Sequence, residues 1–236
     1  MYSDVFCRVY NEFGWNYYPE AFGQQLLCWL TETRFTPRNA LDMACGTGIL
    51  CRILQDAAIS SRGMDLSPGM IQIAREENPD IPFDVADMIT YCPEETFDLI
   101  TCTGDALNHI PDLTAIAKIL GNTHRLLNPG GYFVFDLLDE REVSTSEPFE
   151  MAFSPTTRVW FQMTRPDTNR VNLQIRVWEE GKEAFSETIR ETIHETETIC
   201  SLLKEAGLRL IKCSHRLSDT AGIDATTWFI IAKKEN

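Results

Sequence analysis

A glycine-rich turn between two apolar runs is the first feature of this sequence that could do chemistry. Residues 40–50 read ALDMACGTGIL, in which Asp42 precedes Gly46 and Gly48. A strand that turns directly into a helix presents backbone N–H groups and the positive end of the helix to a ligand. Glycine is needed there because a Cβ would block the close approach of that ligand. The turn therefore predicts a nucleotide-like ligand that is held largely by main chain.

Two common classes of nucleotide loop fit this turn poorly. A loop that binds nucleoside triphosphates has the pattern G-x-x-x-x-G-K-[ST], and no lysine follows Gly48. A dinucleotide turn has the pattern G-x-G-x-x-G, and Cys51 stands where its third glycine would pack the helix against the strand. The sequence therefore does not fit a nucleoside triphosphate loop, and it matches the dinucleotide turn at only two of its three glycines.

A second polar stretch, CTGDALNHIP at residues 102–111, follows an apolar strand candidate. Open α/β sheets bind ligands at the carboxyl ends of their strands, so this stretch predicts part of a ligand site. His109 is the candidate general base, because the ordinary pKa of histidine lies near neutrality. The alternative is that His109 caps the following helix or orders the loop. Asp136, in VFDLL at the end of the next strand candidate, is predicted to bind the second reactant at the same edge.

The elements that position these residues follow an α/β pattern. Short apolar runs alternate with amphipathic stretches from residue 39 to 137, which indicates strands joined by helices in a parallel sheet. Ser67 and Pro68 are predicted as the N-cap and first residue of one helix. The sequence NPGG at residues 128–131 is predicted to end another helix. Strands are predicted at residues 39–45, 60–66, 82–88, 97–102 and 130–138.

A different pattern occupies residues 151–194. The run VNLQIRVW alternates strictly between apolar and polar residues, and turn sequences flank it at 165–169 and 179–183. Residues 156–194 predict a three-stranded antiparallel sheet with one solvent-exposed face, inserted into the α/β fold. The end of the chain returns to α/β order. ETETICSLLKEAGL predicts a helix, and RLIKCS and TTWFIIAKK predict two closing strands joined by a loop around TAGID.

Composition limits the classes of function. The chain has 236 residues and a formal net charge of −14, and it shows no cluster of Lys and Arg, so nucleic acid is an unfavourable partner. No apolar stretch approaches the roughly 20 residues that a membrane span needs. The eight cysteines contain no C-x-x-C pair, which argues against a zinc site and for free thiols. We therefore predict a cytoplasmic protein without a metal centre and without a membrane segment.

The turn DMACGTG resembles motif I of the class I (Rossmann-like) methyltransferases that depend on S-adenosylmethionine (SAM), with Ala44 in place of the first glycine. Further stretches resemble later motifs of that family in the right order. GMDLSPGMI places Asp65 at the end of the second strand, and DVADM places Asp87 after the third. FDLITCTGDALNHI and LLNPGGYFVFDLL resemble the fourth-strand and fifth-strand motifs. Together these matches cover residues 35–140.

The resemblance implies a fold and a set of cofactor contacts. The sheet would have seven strands in the order 3-2-1-4-5-7-6, with the last strand antiparallel and helices on both faces. Asp42 would face the amino end of the methionine moiety, Asp65 would accept the ribose hydroxyls, and Asp87 would meet the adenine amino group. The residues expected at SAM, or at its product S-adenosylhomocysteine, are Tyr10, Trp15, Asp42, Ala44, Cys45, Gly46, Thr47, Asp65, Leu66, Met70, Asp87, Met88, Thr103, Gly104, Asp105 and Asn108.

The resemblance also suggests what covers the reactants. Aromatic residues near the N-terminus would form a lid, because aromatic faces suit a sulphonium cation. The inserted sheet is similar in position to added strands of sugar-amine and glycine N-methyltransferases, which cover the acceptor or form a dimer contact. The residues expected at the acceptor are Tyr18, Asp136 and Trp160. The domain boundaries expected are 1–34 for the lid, 35–150 with 195–236 for the SAM-binding domain, and 151–194 for the insertion.

Three functions are compatible with these features. The preferred one is a SAM-dependent methyltransferase that transfers a methyl group to a nitrogen or oxygen atom of a small molecule, with a homodimer through the inserted sheet as one possibility. The second is an oxidoreductase that binds NAD(P) at the same turn, against which Cys51 argues. The third is a non-catalytic module that binds SAM, or has lost it, and acts through the inserted sheet.

Overall fold

The fold consists of two β-sheets, one of them covered by helices on both faces. The computed structural model describes residues 3–141, 143, 147–152, 154–219 and 227–235. The loop predicted around TAGID lies outside these residues. The helices are α1 (Asp4–Val9), α2 (Tyr17–Thr33), α3 (Ile49–Asp56), α4 (Pro68–Glu77), α5 (Leu113–Leu126) and α6 (Thr196–Glu205), with a 3-10 helix at Ala106–His109. Among the described residues, no helix is long and apolar enough to cross a membrane.

The larger sheet has the predicted topology. Its strands are β1 (Asn39–Met43), β2 (Ser60–Asp65), β3 (Phe83–Val85), β4 (Phe97–Cys102), β5 (Leu127–Leu138), β10 (Leu208–Ser214) and β11 (Thr227–Lys234). They lie in the order β10-β11-β5-β4-β1-β2-β3, in which β11 is antiparallel to both of its neighbours and β1 to β5 are parallel. This confirms the expected order 3-2-1-4-5-7-6, with β11 as the seventh strand and β10 as the sixth.

The smaller sheet has four strands, one more than predicted. Its strands are β6 (Phe149–Ala152), β7 (Thr157–Asp167), β8 (Arg170–Glu179) and β9 (Lys182–Thr192), antiparallel throughout in the order β6-β7-β8-β9. The prediction of three strands was wrong because β6 has only four residues, all exposed. So short a run carries too little alternation to be recognised as a strand.

Both faces of the larger sheet are buried, which explains why its strands are nearly continuous in apolar character. On one face Phe133 and Phe135 pack with residues of α5 and α6. On the other face Val134, between them in sequence, packs with residues of α2 and α3. Helix α4 begins where the sequence predicted, since the Ser67 hydroxyl accepts a hydrogen bond from the Met70 N–H and Pro68 is its first residue.

The glycine turn between β1 and α3 depends on close packing at one of its two glycines. Gly48 has φ +83°, and a Cβ built on it would lie 2.7 Å from Cζ of Phe83 on β3. Gly46 has φ +54°, but a Cβ there would meet nothing within 4 Å. Both positions favour glycine through backbone conformation, and only Gly48 also lacks room for a side chain.

We expect Gly48→Ala to lower the free energy of unfolding by about 3 kcal/mol, from left-handed backbone strain plus overpacking against Phe83. Gly46→Ala, the matched control, is expected to cost only about 1 kcal/mol because it adds strain alone. Urea denaturation of both variants measures the difference. Equal losses for the two variants would contradict the packing argument.

Candidate functional site

The turn after β1 bends the chain sharply under an open surface. Ala44, Gly46 and Gly48 all have positive φ values, at +58°, +54° and +83°. Ala44 is the non-glycine among them, so the turn holds an alanine in a conformation that costs L-residues about 1–2 kcal/mol. The backbone at Gly46 faces the open side, where a ligand can approach the peptide group directly.

The carboxylate of Asp65 joins the end of β2 to this turn. Its Oδ2 accepts a hydrogen bond from the N–H of Gly46 at 3.0 Å, and its Oδ1 accepts one from the N–H of Ser67 at 2.8 Å. Burial raises the pKa of Asp65, and the N–H groups of Ser67, Gly46 and Leu66 act in the opposite direction. Each oxygen keeps a further lone pair, so the carboxylate can still accept from a ligand hydroxyl.

Asp42 lies beneath the turn and is only 1% exposed. Its Oδ1 accepts a hydrogen bond from the Thr101 hydroxyl at 2.7 Å. Burial raises the pKa of Asp42 to about 7, although the hydrogen bond from Thr101 acts against this. The structure therefore places Asp42 under the ligand surface, while Asp65 lies at its edge.

Aromatic residues of the N-terminal segment cover this turn. The Thr47 hydroxyl donates to Oδ1 of Asn11 at 2.9 Å, which ties the segment to the glycine turn. The ring of Tyr10 stacks on Trp15 at 5.8 Å, and Trp15 meets Phe161 of the smaller sheet edge to face. Burial and then the charges of Asp105 and Asp65 raise the pKa of Tyr10. The Tyr10 hydroxyl thus lies within electrostatic reach of both acids, as a lid residue would.

A fully buried carboxylate, Asp136, organises the loop after β4. It accepts hydrogen bonds from the Tyr18 hydroxyl and from the Thr103 hydroxyl at 3.3 Å. The N–H groups of Gly104 and Asp105 donate to it at 3.1 Å and 2.9 Å. The structure brings these five predicted residues together, and the oxygens of Asp136 are occupied by four protein donors.

The smaller sheet contributes an acid to this loop that sequence reasoning missed. Asp105, His109 and Glu191 each offer one ligand atom, and the three atoms lie within 4.8 Å of one another. His109 Nε2 is 3.7 Å from Oδ1 of Asp105. Alternation along β9 could have placed Glu191 on the inner face of the smaller sheet. The loop that this face meets is a matter of tertiary packing, which no local pattern shows.

Other predicted residues are spread more widely. Leu66 is 51% exposed, whereas Met70 and Cys45 are buried and Met88 packs partly against the main core. Asp87 Oδ1 accepts a hydrogen bond from the N–H of Ile89 at 2.8 Å. Asn108 is fully buried, with its amide between Leu138 N–H and the Thr192 carbonyl.

Trp160 is separated from the other predicted residues. It alternates with Val159 and Phe161, which pack towards the N-terminal segment, and it pairs with Arg176. The guanidinium of Arg176 lies 5.1 Å from the centre of the Trp160 ring. Trp160 therefore lies on the opposite face of the smaller sheet from Glu191.

The raised pKa of Asp42 makes stability depend on pH. A carboxyl whose pKa is higher in the folded than in the unfolded protein destabilises the fold as pH rises through that range. Between about pH 4 and 7, Asp42 should lower the free energy of unfolding by about 1.4 kcal/mol per pH unit. We expect Asp42→Asn, which still accepts from Thr101, to flatten this slope in urea denaturation at pH 5 to 7.

Asp98→Asn is the matched control for this prediction. The pKa of Asp98 is lowered, against the effect of burial, by the Arg38 N–H and by Asn128, so its ionisation contributes below pH 5. For Asp98→Asn, the free energy of unfolding should fall with pH at the same slope as in the wild-type protein. Parallel curves for Asp42→Asn and the wild-type protein would show that Asp42 is ionised throughout.

Comparison with known proteins agrees with this geometry. A family model described as a methyltransferase domain matches residues 15–212. A sugar N,N-dimethyltransferase of Streptomyces fradiae, which acts on dTDP-3-amino-3,6-dideoxy-alpha-D-glucopyranose, is 32% identical over 136 residues, covering 57% of this chain and 52% of its own. A ubiquinone biosynthesis O-methyltransferase of Thiobacillus denitrificans is 29% identical over 121 residues, covering 48% and 50%. The chain thus spans about half the length of these two relatives.

A solved structure shares the whole fold. An amino pentose methyltransferase from Micromonospora echinaspora, with SAM bound, superposes with a TM-score of 0.77 at 20% identity, covering 99% of this chain and 98% of its own. Such low identity shows the fold alone. The family model covers most of the chain and describes methyl transfer, not the hydride transfer of the NAD(P) alternative. The chain belongs to the methyltransferase-domain family and is a SAM-dependent methyltransferase with the class I fold.

Proposed function

We propose that this protein transfers the methyl group of SAM to the nitrogen atom of a small-molecule amine. The observation that carries the proposal is the acidic lining of the loop after β4. Burial raises the pKa of Asp105, and Glu191 and Asp136 lie close enough for their charges to raise it further. A site with this charge attracts a cationic acceptor and repels an anionic one.

The residues around the glycine turn fit SAM. Asp65 has carboxylate lone pairs for the ribose hydroxyls, exposed Leu66 and Val85 offer apolar surface for the adenine, and the bare backbone at Gly46 accommodates the amino-acid end. SAM supplies an electrophilic methyl group on a positively charged sulphur. The protein positions the acceptor and excludes water, and such positioning accounts for much of the rate in a methyl transfer. The rings of Tyr10 and Trp15 would cover the bound SAM and keep water away from its methyl group.

The relatives support a small-molecule acceptor. They do not decide whether the methylated atom is nitrogen or oxygen, so that choice rests on the residues of the site. One of them is named for methylation of a sugar amine, and another for O-methylation in ubiquinone biosynthesis. The negative acceptor side favours the amine, since an ammonium group carries the complementary charge. The net charge of −14 likewise disfavours nucleic acid as an acceptor. None of the eight cysteines forms a disulfide, which supports a cytoplasmic enzyme.

The acceptor class can be tested directly with purified protein and SAM. We expect primary amines such as amino sugars, free or nucleotide-linked, to be methylated with kcat/KM about tenfold or more above catechols and carboxylic acids, because of charge complementarity. Product mass and S-adenosylhomocysteine release measure the transfer. A clear preference for a hydroxyl or carboxyl acceptor would overturn the proposal.

The role of Asp65 predicts a loss of cofactor affinity. Asp65→Asn removes the charge that would accept the ribose hydroxyls, so binding of S-adenosylhomocysteine in calorimetry should weaken about tenfold or more. Asp84→Asn, one strand away in an ion pair with Arg62, is the matched control and should bind normally. Unchanged affinity in Asp65→Asn would mean that another residue holds the ribose.

A further inference from the structure

Glu191 has no place in the motifs that identify the family, yet it faces the loop after β4. It pairs with Val171 on β8, and residues directly opposite in an antiparallel pair share one face of the sheet. Val171 is buried, so this is the inner face. Asn108 Nδ2 donates to the carbonyl oxygen of Thr192 at 2.7 Å. This hydrogen bond holds β9 against the 3-10 helix, one residue from Glu191.

Two carboxylates and a histidine ring converge at this point. Burial lowers the pKa of His109, and a ring N–H of His109 donates to the backbone carbonyl of Arg190. The carboxylates of Asp105 and Glu191 lie within 4.8 Å of a ring nitrogen and of each other. When both acids are ionised, their carboxylate oxygens offer lone pairs to one small volume beside the His109 ring.

The charges around this volume call for a cation. Burial raises the pKa of Glu191 to about 7, and burial, Glu191 and Asp136 together raise that of Asp105. Tyr10 and Tyr18 also face Asp105, and its charge raises the pKa of both hydroxyls. A primary ammonium group brings a positive charge and three N–H donors, so it can donate to both carboxylates at once. A hydroxyl brings one donor and no charge.

This volume lies beside the cofactor surface. Asp105 follows Thr103 and Gly104 in the loop that Asp136 holds. Burial raises the pKa of Tyr10, and the charges of Asp105 and Asp65 both raise it further, so Tyr10 lies near both carboxylates. An amine held by Asp105 and Glu191 is therefore near the same aromatic residue as the predicted ribose contact.

We propose that Glu191 is a catalytic residue, which binds the ammonium group of the acceptor together with Asp105, beside the His109 ring, and then removes one of its protons. The inference rests on the proposed amine acceptor. One N–H bond breaks and an O–H bond forms on Glu191, which leaves a lone pair on the nitrogen. That lone pair attacks the methyl carbon, and the carbon–sulphur bond breaks with its electron pair staying on sulphur. Glu191 later returns the proton to water.

Binding is tested without turnover, by NMR of the histidine rings with methylammonium chloride as the probe. The chain has four histidines, so the His109 signals can be assigned with a His109→Asn variant. We expect saturable shifts of these signals in the wild-type protein and binding about tenfold or more weaker in Glu191→Gln, which loses a charged hydrogen bond. Tetramethylammonium, which has charge but no N–H, should leave the signals unchanged.

Kinetics with the best amine of the acceptor panel tests proton removal. Glu191→Gln should lower kcat/KM at pH 7 about 100-fold, as loss of a general base does. Its pH–rate profile should move upward, towards the pKa of the free amine, because the protein no longer takes up the proton. Glu183→Gln, an exposed acid on the same strand, is the matched control and should retain wild-type binding and rate.

Two sets of results would overturn this role, and neither can be confused with failure of the proposed function. One is a wild-type protein that methylates amines while Glu191→Gln keeps its full kcat/KM and pH profile. The other is broadening of the His109 signals by micromolar Mn²⁺ with no response to methylammonium, which would make the cluster a metal site. Failure of the proposed function is different, since the wild-type protein would then methylate no amine in the panel.

Discussion

The carboxylate of Asp136 is buried at the end of β5, and the loop after β4 is built around its need for hydrogen bonds. A buried carboxylate without partners would cost several kcal/mol, so its oxygens have to be matched by donors. The loop after β4 supplies three of the four donors, and α2 supplies the Tyr18 hydroxyl. To deliver its N–H, Asp105 adopts a left-handed conformation with φ +49°. Backbone strain at Asp105 is thus offset by the hydrogen bonds of Asp136.

This arrangement gathers negative charge at the sheet edge where ligands bind. Asp42 lies beneath the glycine turn, Asp65 beside it, and Asp105 and Glu191 across the loop after β4. Each of these carboxyls has a raised pKa, mainly through burial. Such a field favours cationic reactants, and both a sulphonium donor and an ammonium acceptor carry that charge. The site is therefore electrostatically matched to the sulphonium of SAM and to the amine acceptor that we propose.

Patterns that act locally predicted most of the fold. The Ser67 cap, the apolar strands and the motif order led to the seven-stranded sheet, because each depends on neighbouring residues in sequence. The arrangement of the site depends more on contacts between distant segments. Glu191 becomes part of the site only because β9 packs on the loop after β4, and Asp136 is saturated only because Tyr18 reaches it from α2. Trp160 is different, since its alternation with the buried Val159 already carried the information that it faces the other way.

Asn108 clamps both ends of the smaller sheet, because its Oδ1 accepts from Leu138 N–H where the chain leaves β5 and its Nδ2 donates to Thr192 where the chain returns. The stretch between those two residues contains the smaller sheet, and one side chain of the loop after β4 ties both of its ends. Glu191 lies in this stretch, whereas the glycine turn and Asp65 lie outside it. Substitutions on the inner face of the smaller sheet can therefore alter the acceptor side that we propose while leaving in place the strands that position the glycine turn and Asp65.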